Sequence, residues 1–359
     1  MDARTGVFFS MLLLGILVVS FHDASALTPG AAINVLSGPD GIAYDSGQGE
    51  MYVVNSVPGM VSVISDGTDK IIGTVDVGVH SMGAAYDSAK GEIFVTNNLS
   101  NNVSVIFDRT GTVVGTIGVG SEPFDVAYDS AKGEIFVANG VSNNLSVISD
   151  GSNSVVATIG TGNTPYAVAY DPGKGEIFVT NMGDGTVSVI SDGSNAVVAT
   201  IKVGNGPNGI AYDSGRGEMF VTNSGDNTVS VISDSTNSVV ATITVGNDPD
   251  AAAYDPASGT VAVANYGSDN ISVISDSSNA VVSKEAVGDG PSSAAYDPAR
   301  GEVFVTNHSS NNVSVVSFLS PRQASAPEFP AGPAAVLSIS ALAALVMLSS
   351  YGRRILPGF

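Results

Sequence analysis

The chain contains no cysteine. A disulfide framework, a thiolate nucleophile and a Cys-ligated metal are all excluded, so stability must come from backbone hydrogen bonding and packing. Basic residues are scarce: 13 Lys and Arg stand against 34 Asp and Glu, a net charge of −21. That balance disfavours nucleic acid and anionic membrane surfaces as partners, since both select for Lys and Arg. Histidine is nearly missing; His80 and His308 alone fall beyond the apolar N-terminal stretch. There is no nucleophile elbow, His-rich metal cluster or phosphate-binding glycine loop, and the glycines sit at turns. Between residues 31 and 317 no helical periodicity reaches ten residues.

What the chain does have is repetition. Ala-Tyr-Asp occurs seven times, with tyrosines at Tyr44, Tyr86, Tyr128, Tyr170, Tyr212, Tyr254 and Tyr296, each step being 42 residues without insertion or deletion. Within the unit from Tyr170 to Tyr212, four runs rich in Val, Ile, Phe or Thr suit strands: Ala167-Tyr170, Glu176-Asn181, Thr186-Ile190 and Ala196-Val203. Gly, Pro, Asn, Asp or Ser bounds each of them. The turn Asp192-Gly193-Ser194-Asn195 is hairpin punctuation, with Asp accepting backbone bonds and Gly permitting a positive φ. Four antiparallel strands per unit of roughly 40 to 45 residues is the pattern of a propeller blade. The chain is therefore expected to be all-β, a seven-bladed β-propeller spanning residues 31–317. The last unit lacks its fourth strand, and Ala31-Ala32-Ile33-Asn34-Val35-Leu36 before the first Ala-Tyr-Asp matches that slot. The N-terminal strand is expected to complete the C-terminal blade and so remove two open sheet edges.

The second strands read Tyr52-Val53-Val54-Asn55, Phe94-Val95-Thr96-Asn97, Phe136-Val137-Ala138-Asn139, Phe178-Val179-Thr180-Asn181, Phe220-Val221-Thr222-Asn223, Ala262-Val263-Ala264-Asn265 and Phe304-Val305-Thr306-Asn307. With the Val-Ser-Val-Ile and Val-Val-Ala-Thr-Ile strands that follow, they resemble the YVTN-family β-propeller repeat of archaeal and bacterial cell-surface proteins. No copy reads Tyr-Val-Thr-Asn outright. The sixth unit departs furthest, with Thr260 in place of Glu and Lys284-Glu285 interrupting its last strand. The resemblance implies a scaffold with diverse activities and so speaks to fold more than to function.

Both termini carry address signals. Arg4, an apolar run from Val7 to Phe21 and Ala24-Ser25-Ala26 form a secretory signal peptide over residues 1–26, expected to be cut after Ala26. Residues 318–330 form a Pro/Ala/Ser linker. Residues 331–352 are long and apolar enough to span a bilayer of ~30 Å, and Arg353-Arg354 open a basic tail, 353–359, on the cytoplasmic side. Pro327-Glu328-Phe329-Pro330 before that helix resembles the PEF-type sorting signal processed by archaeosortases. The resemblance implies tail cleavage and lipid attachment; the plain alternative is an uncleaved anchor. Either way the propeller is expected on the extracellular face of the membrane.

Six Asn-x-Ser sequons, at Asn98, Asn102, Asn144, Asn270, Asn307 and Asn312, fall in or beside the loop between second and third strands, where a glycan would be solvent-exposed. The alternative is that Asn simply suits a turn and Ser the next strand. Two rings of recurring polar residues, the strand-end asparagines and the aspartates of Ala-Tyr-Asp, invite a metal reading. A residue that every blade needs is instead a turn or strand-end hydrogen bonder, so no metal site is expected. Weak calcium binding on the acidic surface is left open, and no cofactor is expected.

Function is sought where the copies differ. The loop into each first strand ends in x-Pro-x, with Ser81 replacing Pro once. The flanking residues vary: Gly38, His80, Glu122, Thr164, Gly206, Asp248 and Gly290 before it, and Asp40, Met82, Phe124, Tyr166, Asn208, Asp250 and Ser292 after it. These loops are expected to gather at one mouth of the central channel. His80, Glu122, Phe124 and Tyr166 form the candidate binding set, against neutral variation on exposed loops. The expected function is a surface-anchored binding, adhesion or envelope-structural module whose partners are envelope proteins or glycans. The alternative is an extracytoplasmic lactonase- or lyase-like propeller enzyme at the channel mouth, and a metal-dependent redox propeller is a third reading. The intact mass of protein purified from its host is expected to correspond to a chain beginning at Leu27 and lacking its terminal helix, with any excess in glycan-sized steps. A mass that retains residues 331–359 removes the sorting-signal reading.

Overall fold

The computed structural model describes residues 32–318. The signal segment with Ala26, the Pro327–Pro330 motif, the terminal helix and the basic tail lie outside the described residues. Among the described residues no helix is long and apolar enough to cross a membrane.

Seven four-stranded antiparallel sheets follow one another along the chain. In blade four the strands are Pro165–Asp171, Glu176–Asn181, Thr186–Ser191 and Ala196–Lys202, close to the sequence reading; the innermost starts two residues earlier, at Pro165. Proline is tolerated there because the first residue of a strand need not donate to the ladder. Blade six keeps its last strand whole. Ala280–Ala286 runs straight through Lys284 and Glu285, with Glu285 paired to Ile271, so the expected interruption is absent. The five other register pairs of this ladder outweigh one unfavourable pair, and Glu285 is only half-buried.

Ring closure is as expected but shorter. Ile33–Asn34 pairs antiparallel with Asn312–Ser317 as the outer strand of blade seven, in the register Ile33↔Val313 and Asn34↔Asn312. Of the expected residues that are described, 32–36, two form ladder pairs. Two further bonds extend the seam: Val35 N–H to Asn311 O (3.1 Å) and Gly38 N–H to Asn311 Oδ1 (2.9 Å).

The core lies between blades. Each layer packs the second and third strands of one sheet on those of the next, as where Phe136, Leu145 and Val147 meet Ile177, Val179 and Ile190. At the seam the same packing brings Ile33, Phe304, Val313 and Val315 against Ile42, Met51, Val53 and Ile64. Each buried aromatic or aliphatic side chain there contributes roughly 1.5–3 kcal/mol.

The repeated tripeptide now has a physical reading. Asp45 Oδ1 accepts from Gly47 N–H (2.7 Å) and Gln48 N–H (3.2 Å), closing the turn between first and second strands. The Tyr86 hydroxyl donates toward Asp108 of its own blade (3.5 Å) and lies beside Asp45 of the preceding one. Burial first, and then these carboxylates, hold the phenol well above its ordinary pKa, so it stays a donor. Tyr44 beside Asp297 carries the same contact across the seam. Lys90, Lys132 and Arg300 add reaches from one blade to the next, to the carbonyls of Asp150, Asp192 and Asp66.

The second-strand motif divides its labour likewise. Thr180 Oγ1 accepts from Ala167 N–H (2.9 Å) and donates to Asn208 O of the next blade (2.9 Å). Asn181 is fully buried; it accepts from Gly162 N–H (3.1 Å) and donates to Thr186 Oγ1 (3.0 Å) and Ser188 Oγ (2.9 Å). A Cβ at Gly162 would come within 2.7 Å of Asn181 Cγ, which explains the glycine at that place. The outer strand carries a bulge that leaves Val198 without a partner and 54% exposed. Such a bulge twists the edge away from pairing with another sheet.

Replacing Asn181 by Ala leaves the half-buried Gly162 N–H unpaired and removes two further bonds. A loss of about 2–3 kcal/mol is expected from urea unfolding, against under ~0.5 kcal/mol for exposed Val198→Thr. Equal losses would contradict the role given to the asparagine.

Candidate functional site at the channel mouth

Every innermost strand begins with a bulge next to its first residue, Pro in six blades and Ser81 in blade two. In blades three and four the register slips between Pro123 and Val126 and between Pro165 and Val168, so two residues face one. Bulges re-aim side chains, and here they carry Phe124, Asp125 and Tyr166 to a cavity of about 260 Å³ on the propeller axis. All seven blades line it, among them Asp40, Met82, Phe124, Tyr166, Asp250 and Ser292 from the position after Pro. The Phe124 and Tyr166 rings stack with centroids 4.7 Å apart. These two members of the sequence-derived set do come together.

His80 and Glu122 do not join them. Each occupies the corner before the first strand with a left-handed backbone, φ 55° and 52°, as do Gly38, Gly206 and Gly290 in other blades. The Glu122 N–H is held by Asn101 Oδ1 at 2.9 Å. Their variability follows a backbone requirement on the rim, and neither lines the cavity.

Three carboxylates line the cavity instead. Asp125 stands where other blades carry Gly41, Gly83, Ala167, Gly209, Ala251 and Ser293, and it accepts from Val168 N–H (3.0 Å). Asp250 accepts from Asn208 Nδ2 (2.9 Å). Asp40 pairs with His308 Nδ1 at 2.7 Å across the seam. Asp125 and Asp250 are half-exposed as residues, yet their carboxyl groups are walled by protein behind and beside them. That enclosure pushes Asp125 up to about 6 and Asp250 to about 7. The bond to Asp40 raises His308 above its usual value. Burial dominates the rise at Tyr166, and Asp250, Asp40 and Asp125 all add to it, which places its phenol within electrostatic reach of the three. Among the described residues no Lys or Arg lines the cavity, and no three His, Asp or Glu are placed to hold a metal ion.

Sequence reasoning missed the acidic lining and the His308–Asp40 pair. Asp125 could have been found as a charge at a position otherwise Gly, Ala or Ser. The pair joins residues 268 apart in sequence and has no local signal. Against expectation, none of the six sequon asparagines is fully exposed, and two lie inside the fold. Asn98 and Asn307 are buried, because Asn307 is a strand-end asparagine donating to Asn312 Oδ1 (2.7 Å) and Ser314 Oγ (3.0 Å), and Asn98 packs beneath the Pro123 corner. Asn102, Asn144, Asn270 and Asn312 are half-buried at the start of the third strand.

Fold and channel together define a closed seven-bladed propeller with an acidic, aromatic-lined mouth. No family model matches the chain, and no curated protein matches it. The fold is widely shared: 1555 solved chains match it, so likeness alone selects no activity. One of them, a chain of Kuenenia stuttgartiensis hydrazine synthase, is 20% identical with a TM-score of 0.73, covering 81% of this chain and 99% of that one. At such identity the likeness shows the propeller fold and says nothing of the reaction.

The enclosed carboxylates set a sign for stability against pH. With folded values near 6 and 7 against an ordinary 3.8, the folded state holds the extra protons. Their contribution is therefore complete below the ordinary value and is lost as pH rises through about 6 to 7. His308, also raised, loses its contribution in the same direction. Calorimetry from pH 5 to 8 is expected to show a falling Tm, with Asp250→Asn flattening the fall and raising Tm at pH 8. An unchanged slope in Asp250→Asn would falsify the assignment.

Proposed function

We propose that this chain is an exported, surface-anchored propeller that binds a ligand at its channel mouth. One observation carries the reading. The residues common to all blades are taken up by turns, strand ends and blade-to-blade contacts, whereas six of the seven blade-specific residues at the position after Pro line one cavity. Uniform repeats need no such variety, and a selective pocket does. The terminal segments read from the sequence support a place on the outer face of the membrane. The acidic overall charge suits a partner other than nucleic acid.

The His308–Asp40 pair favours a second reading. A carboxylate on Nδ1 fixes the imidazole tautomer and makes the ring a stronger base, as a lactonase- or lyase-like site would require. Loss of turnover in His308→Gln, in a screen of lactones and uronate esters, would support it.

For the binding reading, the full-length protein is screened by thermal shift against amines, sugars, amino acids and short peptides. Wild type is expected to give hits that Phe124→Ala/Tyr166→Ala loses by at least tenfold in affinity and that rim variant His80→Ala retains. Identical hits for all three proteins would remove the channel as the binding site.

A further inference from the structure

The channel's charge is unbalanced in a way that selects a ligand class. Asp40 has His308 as a partner at 2.7 Å. Asp125 is hydrogen-bonded only by backbone N–H groups, and Asp250 only by the neutral Asn208 amide, with His308 acting on it at longer range while paired to Asp40. They stand on blades three and six, on opposite sides of a seven-membered ring, and line the same cavity. A carboxylate withdrawn from bulk water without a counter-ion is costly, and a cation entering the cavity would relieve both.

The rest of the lining narrows the choice. The stacked Phe124–Tyr166 pair presents aromatic surface, which attracts cations electrostatically and covers carbon skeletons. Met82 and Ile42 add apolar wall. With no basic side chain in the lining and a chain of net charge −21, anions are repelled. At about 260 Å³ the space is below the ~300 Å³ at which pockets for drug-sized molecules begin. A bare metal ion fits poorly, because the carboxylates come from separate blades and no three-ligand set is formed among the described residues.

We propose that the channel binds a small organic cation, a primary ammonium or guanidinium on a short carbon chain, by the uncompensated carboxylates Asp125 and Asp250 and the Phe124–Tyr166 stack. The proposal rests on the channel being the binding site and names the chemistry that site accepts. An ammonium donates N–H bonds to either carboxylate while its methylenes lie against the rings. Because the two acids come from non-adjacent blades, each can take one end of a diamine.

Titration calorimetry on the full-length protein uses n-butylammonium, agmatine and putrescine, with 1-butanol and butyrate as neutral and anionic counterparts. The three cations are expected to bind, butyrate not at all, and 1-butanol at least tenfold more weakly. Asp250→Asn and Asp125→Asn, near-isosteric changes, should each weaken butylammonium tenfold or more, and Phe124→Leu severalfold. If Asp125→Asn does not fold, the other two variants carry the test. Binding should weaken from pH 8 to pH 5. Asp250 is faced by Asp248, Asp40, His308, Tyr166 and Asn208, and Asp125 by the Val126 and Val168 amides and Tyr166. Uptake of protons by the two acids and by His308 all makes the channel less negative. Equal binding of 1-butanol, or cation affinity unchanged in Asp250→Asn and Phe124→Leu, overturns the proposal. If the cations fail while Phe124→Ala/Tyr166→Ala still loses its screening hits, the cation assignment falls and the channel remains a binding site. If the screen is also unmoved, both fall.

Discussion

Everything in this propeller depends on the apolar contact between neighbouring blades. A four-stranded sheet of this length buries little by itself, and each blade here covers both faces only by having two neighbours. The ring must therefore be complete before any blade is fully packed. The uniform 42-residue spacing follows from that demand, because an insertion in one unit would misalign its layer with the next. Polar groups caught near the layers are paired in the same repeated manner: threonine hydroxyls and tyrosine phenols run from blade to blade, and asparagine side chains take up orphan backbone groups at the strand ends.

This division explains why the most repeated residues say least about function. Tyr, Asp and Asn recur in every blade, and Thr in four of them, because equal joints need equal fastenings. The innermost strands answer to a different constraint. Their bulged starts are exempt from blade packing, since they face the axis, and there the seven copies differ freely. A symmetric scaffold thus presents an asymmetric lining, with aromatics on blades three and four and acids on blades one, three and six.

Blade number, strand positions, the seam and the Phe124 and Tyr166 positions were legible in the sequence, because period-two patterns, turn residues and repeat registration are local signals. The rest depended on geometry that no local pattern records. His80 and Glu122 look like functional variation until their left-handed backbone is seen. Asn98 and Asn307 match a sequon, but a strand-end asparagine is consumed inside the fold. Asp40 and Asp250 stood in the variable series without distinction; their enclosure and their partners His308 and Asn208 arise only when the ring closes. Lys284 and Glu285 looked like a break, yet ladder bonding carried the strand through them.

The seam itself has a consequence for how the molecule is made. Ile33 meets Val313 only after some 280 intervening residues have been synthesised. In a chain built from its N-terminus, the first strand has no partner until the seventh sheet arrives. Loop-closure entropy rises only slowly with such length, but the delay is in time: the first and last blades each keep a bare face until the end. A chain truncated before residue 312 would leave Ile33 with no strand to join. The two-residue junction thereby acts as a test of completeness, separating finished rings from prematurely ended ones by their exposed apolar faces.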